Sequence, residues 1–150
     1  SLYSVIGTLR TYPIRVANRW EGTRMIGYSG PCYDDQEETT WKEIGVEPEY
    51  TTVTNLERRV FTFSWRQYKQ AIWRCEPDYL FVNFCNYLKP DKRRFFIENL
   101  RKVLKTIRPF AHIKYLGFGP SENNIDPLHA PRNDGGMSLE CKDKTLMEVT

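Results

Sequence analysis

Four threonines and the pair Arg58-Arg59 fall within residues 51–64, TTVTNLERRVFTFS, ahead of a β-branched and aromatic run. Threonine hydroxyls and free backbone N–H groups in a loop can wrap a small carboxylate or phosphate. A neighbouring arginine can then hold the anion through two parallel hydrogen bonds. An edge strand with a solvated charge pair is the plainer alternative, and composition leaves both open. A second candidate is NFCNYL, residues 83–88. The Asn86 amide offers one donor and one acceptor, which suits the edge of adenine, whereas a carboxylate would accept from the N–H groups of guanine. Its plainer role is to cap a turn before Pro90. A third is GFGP, residues 117–120, where Gly117 and Gly119 would let a flat base approach the backbone closely. As a lone GxG it also fits an ordinary turn. Arg10, Arg15, Asn18 and Arg19 gather near the end of the first apolar run, as an anion site or an exposed basic patch.

These residues must be held by a fold that 150 residues can supply as one domain with a single core. The chain is 40 % hydrophobic and 14 % aromatic, a composition that folds. Its net charge of +3 is too small to argue for nucleic acid. The four cysteines are widely spaced with no CxxC pair, which argues against a zinc site. They read as reduced thiols of a cytoplasmic protein, with an extracellular disulfide pair as the alternative. No apolar run is long enough to span a membrane, and no signal peptide is recognisable. The chain opens without an initiator Met, as a cut piece or a processed product does.

Residues 3–16 alternate as one strand, or two broken near Pro13. Residues 18–35, with three glycines and Pro31, read as a long loop. Residues 37–44 read as a short helix stopped by Gly45. A strand at 60–63 leads to a helix capped by Ser64 and ending near Cys75. Residues 79–84, YLFVNF, read as a strand buried on both faces. Asp91 is expected to cap a basic helix to about Ile107, with Phe95, Phe96, Leu100, Val103 and Leu104 on its core face and its cations solvated. A strand over 110–117 follows, then a loop over 121–136 and a hairpin or tail over 137–149. The strand–helix alternation from Val60 to Gly117 predicts an α/β fold, a mixed, largely parallel sheet with flanking helices. Ligands then bind beyond the carboxyl ends of the strands. The chain has no GxxxxGK[ST] phosphate loop, no nucleophile elbow, and neither His112 nor His129 in a catalytic motif.

Taken together, GTLRTYPIRVANRW, GYSGPCYDDQEETTW, GVEPEYTTVTNLERRVFTFS, PDYLFVNFCNYL and YLGFGP resemble the C-terminal part of adenylosuccinate synthetases. The likeness is greatest to the archaeal and phage-type branch, including the phage enzymes that make the aminoadenine precursor. It covers residues 1–120, leaving 121–150 as a loop and tail outside it. The resemblance implies a ligase of purine biosynthesis that joins L-aspartate to C6 of a purine monophosphate. A nucleoside triphosphate with Mg²⁺ first phosphorylates the 6-oxygen, which the aspartate amine then displaces. It implies that Thr52, Val53, Thr54, Arg58 and Arg59 bind aspartate, that Arg15 and Val16 meet the acceptor nucleotide, and that Asn86, Gly117 and Gly119 hold the base of the triphosphate. Guanine-using members have an aspartate where this chain has Asn86, so ATP is expected over GTP. Leu56 stands where the family has an arginine, and Ala17 replaces a glycine.

In the family the N-terminal half carries the phosphate loop, the catalytic acid and base, and most phosphate contacts. No catalytic residue or metal ligand is therefore implied within this chain, and no turnover is expected from it alone. Its expected partners are the nucleotide, aspartate, and an N-terminal half or a second copy, with a homodimer as one assembly. A non-catalytic nucleotide-binding or protein-interaction module derived from the same fold is the alternative, favoured by Leu56.

Overall fold

The structure, a computed structural model, describes residues 3–128. Its elements are β1 (Ile6–Arg10), β2 (Ile14–Arg15), β3 (Arg19–Glu21), β4 (Arg24–Gly27), β5 (Glu38–Thr39), α1 (Trp41–Ile44), β6 (Arg59–Phe61), α2 (Trp65–Cys75), β7 (Tyr79–Asn83), α3 (Pro90–Ile107), β8 (His112–Gly117) and β9 (Ile125–Pro127). They form two compact units, one of residues 3–11 with 69–128, the other Tyr12–Tyr68.

The first unit is built on a sheet in the order β1-β7-β8-β9. Strands β1, β7 and β8 run parallel, and β9 returns antiparallel to β8. This is a mixed, largely parallel sheet with flanking helices, as expected. Its membership differs from the expectation in one respect. The strand at Val60 belongs to a separate antiparallel sheet in the other unit, and the parallel neighbour of β7 is β1. Three parallel strands thus end side by side, at Arg10, Asn83 and Gly117.

Strand β7 buries Leu80 and Val82 but only half-buries Tyr79, Phe81 and Asn83, so it is not covered on both faces. Helix α3 starts one residue before the expected cap: Lys89 is the N-cap and Pro90 the first helical residue, where a missing N–H costs nothing. Its buried face is Arg93, Ile97, Leu100 and Leu104. Phe95, expected in the core, is 68 % exposed, and Arg93, expected in solvent, is 7 % exposed. The i, i+4, i+7, i+11 rhythm starting at Arg93 fits one helical stripe, and an arginine in that stripe does not read as apolar.

In the second unit β6 lies between β2 and β5, antiparallel to both. The expected loop over 18–35 contains a hairpin, β3–β4, turned by Gly22 at φ 59°. Residues 37–44 divide into β5 and the short α1. Thr40 and Glu43 cap each other reciprocally, and Gly45 at φ 76° ends the helix. Ser64 does cap α2: its hydroxyl accepts from Gln67 N–H at 3.0 Å, while Asp35 accepts from Arg66 N–H at 2.9 Å. Residues 121–128 form a turn and β9, and the tail expected over 137–149 lies outside the described residues, as do His129 and Cys141. Among the described residues no helix is long and apolar enough to cross a membrane, and Cys32, Cys75 and Cys85 are free thiols.

Candidate substrate and nucleotide-base sites

The threonine segment is the tip of a tight hairpin closed by a Tyr50–Glu57 bridge. Thr51 N–H donates to Leu56 O at 2.9 Å, Asn55 N–H to Thr51 O at 2.9 Å, and Leu56 N–H to the Thr51 hydroxyl at 3.0 Å. Thr51 and Thr54 share a hydroxyl–hydroxyl bond. Asn55 sits at φ 52°, a left-handed position that asparagine tolerates. The successive N–H groups of Thr52, Val53 and Thr54 then have no acceptor among the described residues. They are exposed, and the Val53 side chain between them is 95 % exposed. Successive unpaired N–H groups in a turn form an anion-binding concavity.

Arg58 follows at the foot of this turn. Its main chain is fixed on both sides, since its N–H donates to Glu49 O at 2.8 Å and its carbonyl accepts from the buried Trp41 indole at 2.9 Å. Its side chain makes one weak bond, Nε to Tyr50 O at 3.3 Å, and its terminal nitrogens have no partner among the described residues. Arg58 is thus a charged arm on a fixed base.

Arg59 is placed differently. Its side chain is 11 % exposed and paired fork-to-fork with Glu38 at 2.8 and 3.0 Å. Nη1 also donates to the Ser29 hydroxyl at 2.7 Å and to Gly30 O at 2.9 Å. The Arg59 guanidinium, through these hydrogen bonds, holds the Glu38 carboxyl below its ordinary range, and Glu38 in turn raises the arginine. Arg15 lies directly opposite Arg59 in the β2–β6 pair and donates to Ser29 O at 3.1 Å. Two cations facing across a ladder repel. Glu38 and the carbonyls of Ser29 and Gly30 offset that repulsion, and Asn18 orders the same turn by accepting from Ser29 N–H at 3.0 Å. Val16, next to Arg15, is exposed. Because Glu38 is held ionised, its contribution to stability is present above the unfolded carboxylate pKa of about 4.3 and lost as pH falls through its lower folded value. Glu38→Gln should therefore lower Tm by roughly 2–4 °C at pH 7, and the gap to the parent should close in melts taken towards pH 3.

In the first unit, the carboxyl ends of β1, β7 and β8 carry the base-binding candidates. Phe84, just past β7, has φ 61°, which is strained for a bulky residue. The Thr11 hydroxyl donates to Phe84 O at 2.7 Å, and the Arg10 guanidinium stacks on its ring at 3.7 Å. The chain then enters a single turn, Cys85–Tyr87. Asn86 lies on that turn, exposed, with its amide unbonded among the described residues. Gly117 ends β8 with its open face filled by the Asn83 amide, and Gly119 lies under the Asn124 side chain. These glycines provide close approach to an amide. A methyl at Gly119 would meet Asn124 Cγ at 2.8 Å, and Asn124 is fixed by accepting from the Ser121 hydroxyl at 2.9 Å. A methyl at Gly117 would meet the end of the more yielding Asn83 side chain and Phe81 at 3.3 Å. Gly119→Ala should therefore cost about 1–3 kcal/mol and Gly117→Ala less, as urea melts would show.

Sequence reasoning missed Arg93, Thr11 and the left-handed Phe84. None carries a local signal, because each acts through residues distant in sequence or through backbone shape. The β3–β4 hairpin did carry one, the dipeptide Gly22-Thr23 between two short alternating runs. Among the described residues no group of three or more His, Cys, Asp or Glu side chains could hold a metal.

No protein-family model matches the chain. It is 48 % identical to the N6-succino-2-amino-2'-deoxyadenylate synthase of Salmonella phage PMBT28, over 81 % of this chain and 35 % of that protein. With the synthase of the same description from Acinetobacter phage SH-Ab 15497 it shares 46 % identity, over 81 % of this chain and 30 % of that one. The cyanophage S-2L succinoaminodeoxyadenylate synthetase, solved bound to dGMP and dATP as an energy donor, matches its fold with a TM-score of 0.67 and 41 % identity. That match covers 85 % of this chain and 34 % of the synthetase. The chain spans about a third of the length of these relatives. In sequence and in fold it corresponds to part of a phage-type, adenylosuccinate-synthetase-like synthetase, and the C-terminal part is the one that fits.

Proposed function

We propose that this chain is the C-terminal part of a ligase that joins L-aspartate to C6 of a purine monophosphate, using ATP in preference to GTP. The observation that carries this reading is the match, over 85 % of the chain, to a synthetase solved with dGMP and dATP as energy donor. The product name of the relatives supports the acceptor class. A succinyl group on N6 beside a 2-amino group is what results when the aspartate amine replaces the 6-oxygen of a deoxyguanylate.

In this reading the N–H groups of Thr52, Val53 and Thr54 take one aspartate carboxylate and the Arg58 arm provides the opposing charge. Arg59 shapes the adjoining wall with Glu38 and, with Arg15 and Val16, borders the acceptor nucleotide. Asn86 reads the triphosphate base, with Gly117 and Gly119 keeping the turn beside it close. Phosphoryl transfer, and the Mg²⁺ it requires, belong to an N-terminal half, which supplies what this stretch lacks.

The test is phosphate release from ATP in the presence of aspartate and dGMP. The chain alone should give none, and the chain joined to the N-terminal two-thirds of a relative should turn over only with both co-substrates. Turnover by the chain alone would refute the division of labour. A folded, joined protein that binds nucleotide but never turns over would favour a non-catalytic module, consistent with the exposed Leu56 on the clamp turn.

A further inference from the structure

We propose that Arg93 is a positioning residue for base recognition, tying together the two turns that flank the base. The inference rests on reading Asn86 and the 117–119 segment as the base pocket, and it adds a residue from α3 that touches neither nucleotide nor aspartate.

Arg93 is buried, and its guanidinium reaches two main-chain carbonyls of one turn. Nε donates to Cys85 O at 2.9 Å and Nη2 to Leu88 O at 2.9 Å. Those carbonyls lie immediately before and two residues after Asn86, so one guanidinium spans the whole turn that presents the amide. The same guanidinium lies over the Phe118 ring at 4.8 Å, and Phe118 is the residue between Gly117 and Gly119. Phe118 N–H in turn donates to Asn124 O at 2.8 Å, which anchors that turn to the chain leading into β9. Arg93 N–H donates to Lys89 O at 2.8 Å, so the arginine is itself seated in the first turns of α3.

A desolvated cation is costly to keep in a core, and a stripe position shared with Ile97 and Leu100 would ordinarily take a leucine. What arginine provides there is a rigid planar fork that bridges two carbonyls and stacks on a ring at once. A lysine would bring the charge but only a compact ammonium, which cannot span the same arrangement. The geometry therefore couples the Asn86 turn to the Phe118 turn, and the orientation of the reading amide depends on that coupling.

The test uses the whole 150-residue chain with Arg93→Lys, Arg93→Met, Asn86→Ala and the control Ile97→Ala, which removes core volume one turn away. Two quantities are read: amide exchange at residues 85–88 and 117–119 without nucleotide, and the ratio of ATP to GTP dissociation constants. Both Arg93 variants should speed exchange in the two turns together while Leu100 and Leu104 stay protected. The parent ATP preference, about tenfold or more for one two-point base contact, should collapse towards one, as in Asn86→Ala. Ile97→Ala, with a comparable loss of Tm, should keep both the slow exchange and the preference. If Arg93→Met does not fold, Arg93→Lys decides. Unchanged exchange in either turn, or an Arg93→Lys protein that keeps the full preference, overturns the positioning role. Equal parent affinities for ATP and GTP overturn the pocket reading itself, and the exchange arm still decides whether Arg93 holds the turns.

Discussion

In the joined ligase proposed above, Arg58→Ala is expected to raise the aspartate KM by about 30–100-fold, with the nucleotide KM values nearly unchanged. The estimate follows from losing charge-assisted bonds to a carboxylate, about 2–3 kcal/mol. The Arg58 backbone is pinned by Glu49 and Trp41, while its terminal nitrogens have no partner among the described residues. In the proposed clamp, removing the side chain would take away a contact to aspartate and leave the fold intact. Arg59→Ala should behave in the opposite way. Its guanidinium holds Glu38, Ser29 and Gly30, so its loss leaves several partners unsatisfied. A fall in stability of about 2 kcal/mol is expected, reduced from the fully buried case because Glu38 is half exposed. Steady-state kinetics and urea melts on the pair separate the two roles. An Arg58→Ala protein with a normal aspartate KM would remove the arm from the clamp.

Asn86→Asp is expected to reverse the nucleotide preference, a swing of about a hundredfold in the ATP-to-GTP ratio. Adenine presents an acceptor and a donor on its pairing edge, and the Asn86 amide matches both. Guanine presents two neighbouring donors, and a carboxylate matches both. The change thus removes one good bond pattern and creates another, and discrimination of about 1–3 kcal/mol applies on each side. Because Asn86 is exposed on its turn and its side chain makes no bond among the described residues, the stability cost should be small. Titration calorimetry with both triphosphates reads the result. An unchanged ratio would place base recognition elsewhere.

The sequence made some of this legible. Ser64 and Gly45 announced a helix start and a helix stop because capping depends on one residue type at one position. The threonine turn was legible as a candidate because three threonines and two arginines crowd residues 51–59. The assignment of β6 was not. A strand followed by a helix and another strand suggests one parallel sheet, but β2 and β5 compete for the same strand edges and win them through antiparallel pairing. The separate roles of Arg58 and Arg59 were hidden for a similar reason. Adjacent residues in an extended segment point to opposite sides, and only long-range partners such as Glu38 and Trp41 decide which of them is free. Arg93 was the least legible, since a cation in a basic helix reads as solvated until its carbonyl partners are seen.

The most direct test of the central claim is the Tm of this chain with ATP and with GTP at equal millimolar concentration. A ligand that binds the folded chain raises Tm in proportion to the logarithm of its saturation. If Asn86 and the two turns form the base pocket of a ligase part, ATP should raise Tm clearly more than GTP. Equal shifts, a larger GTP shift, or no shift with either nucleotide would contradict the account.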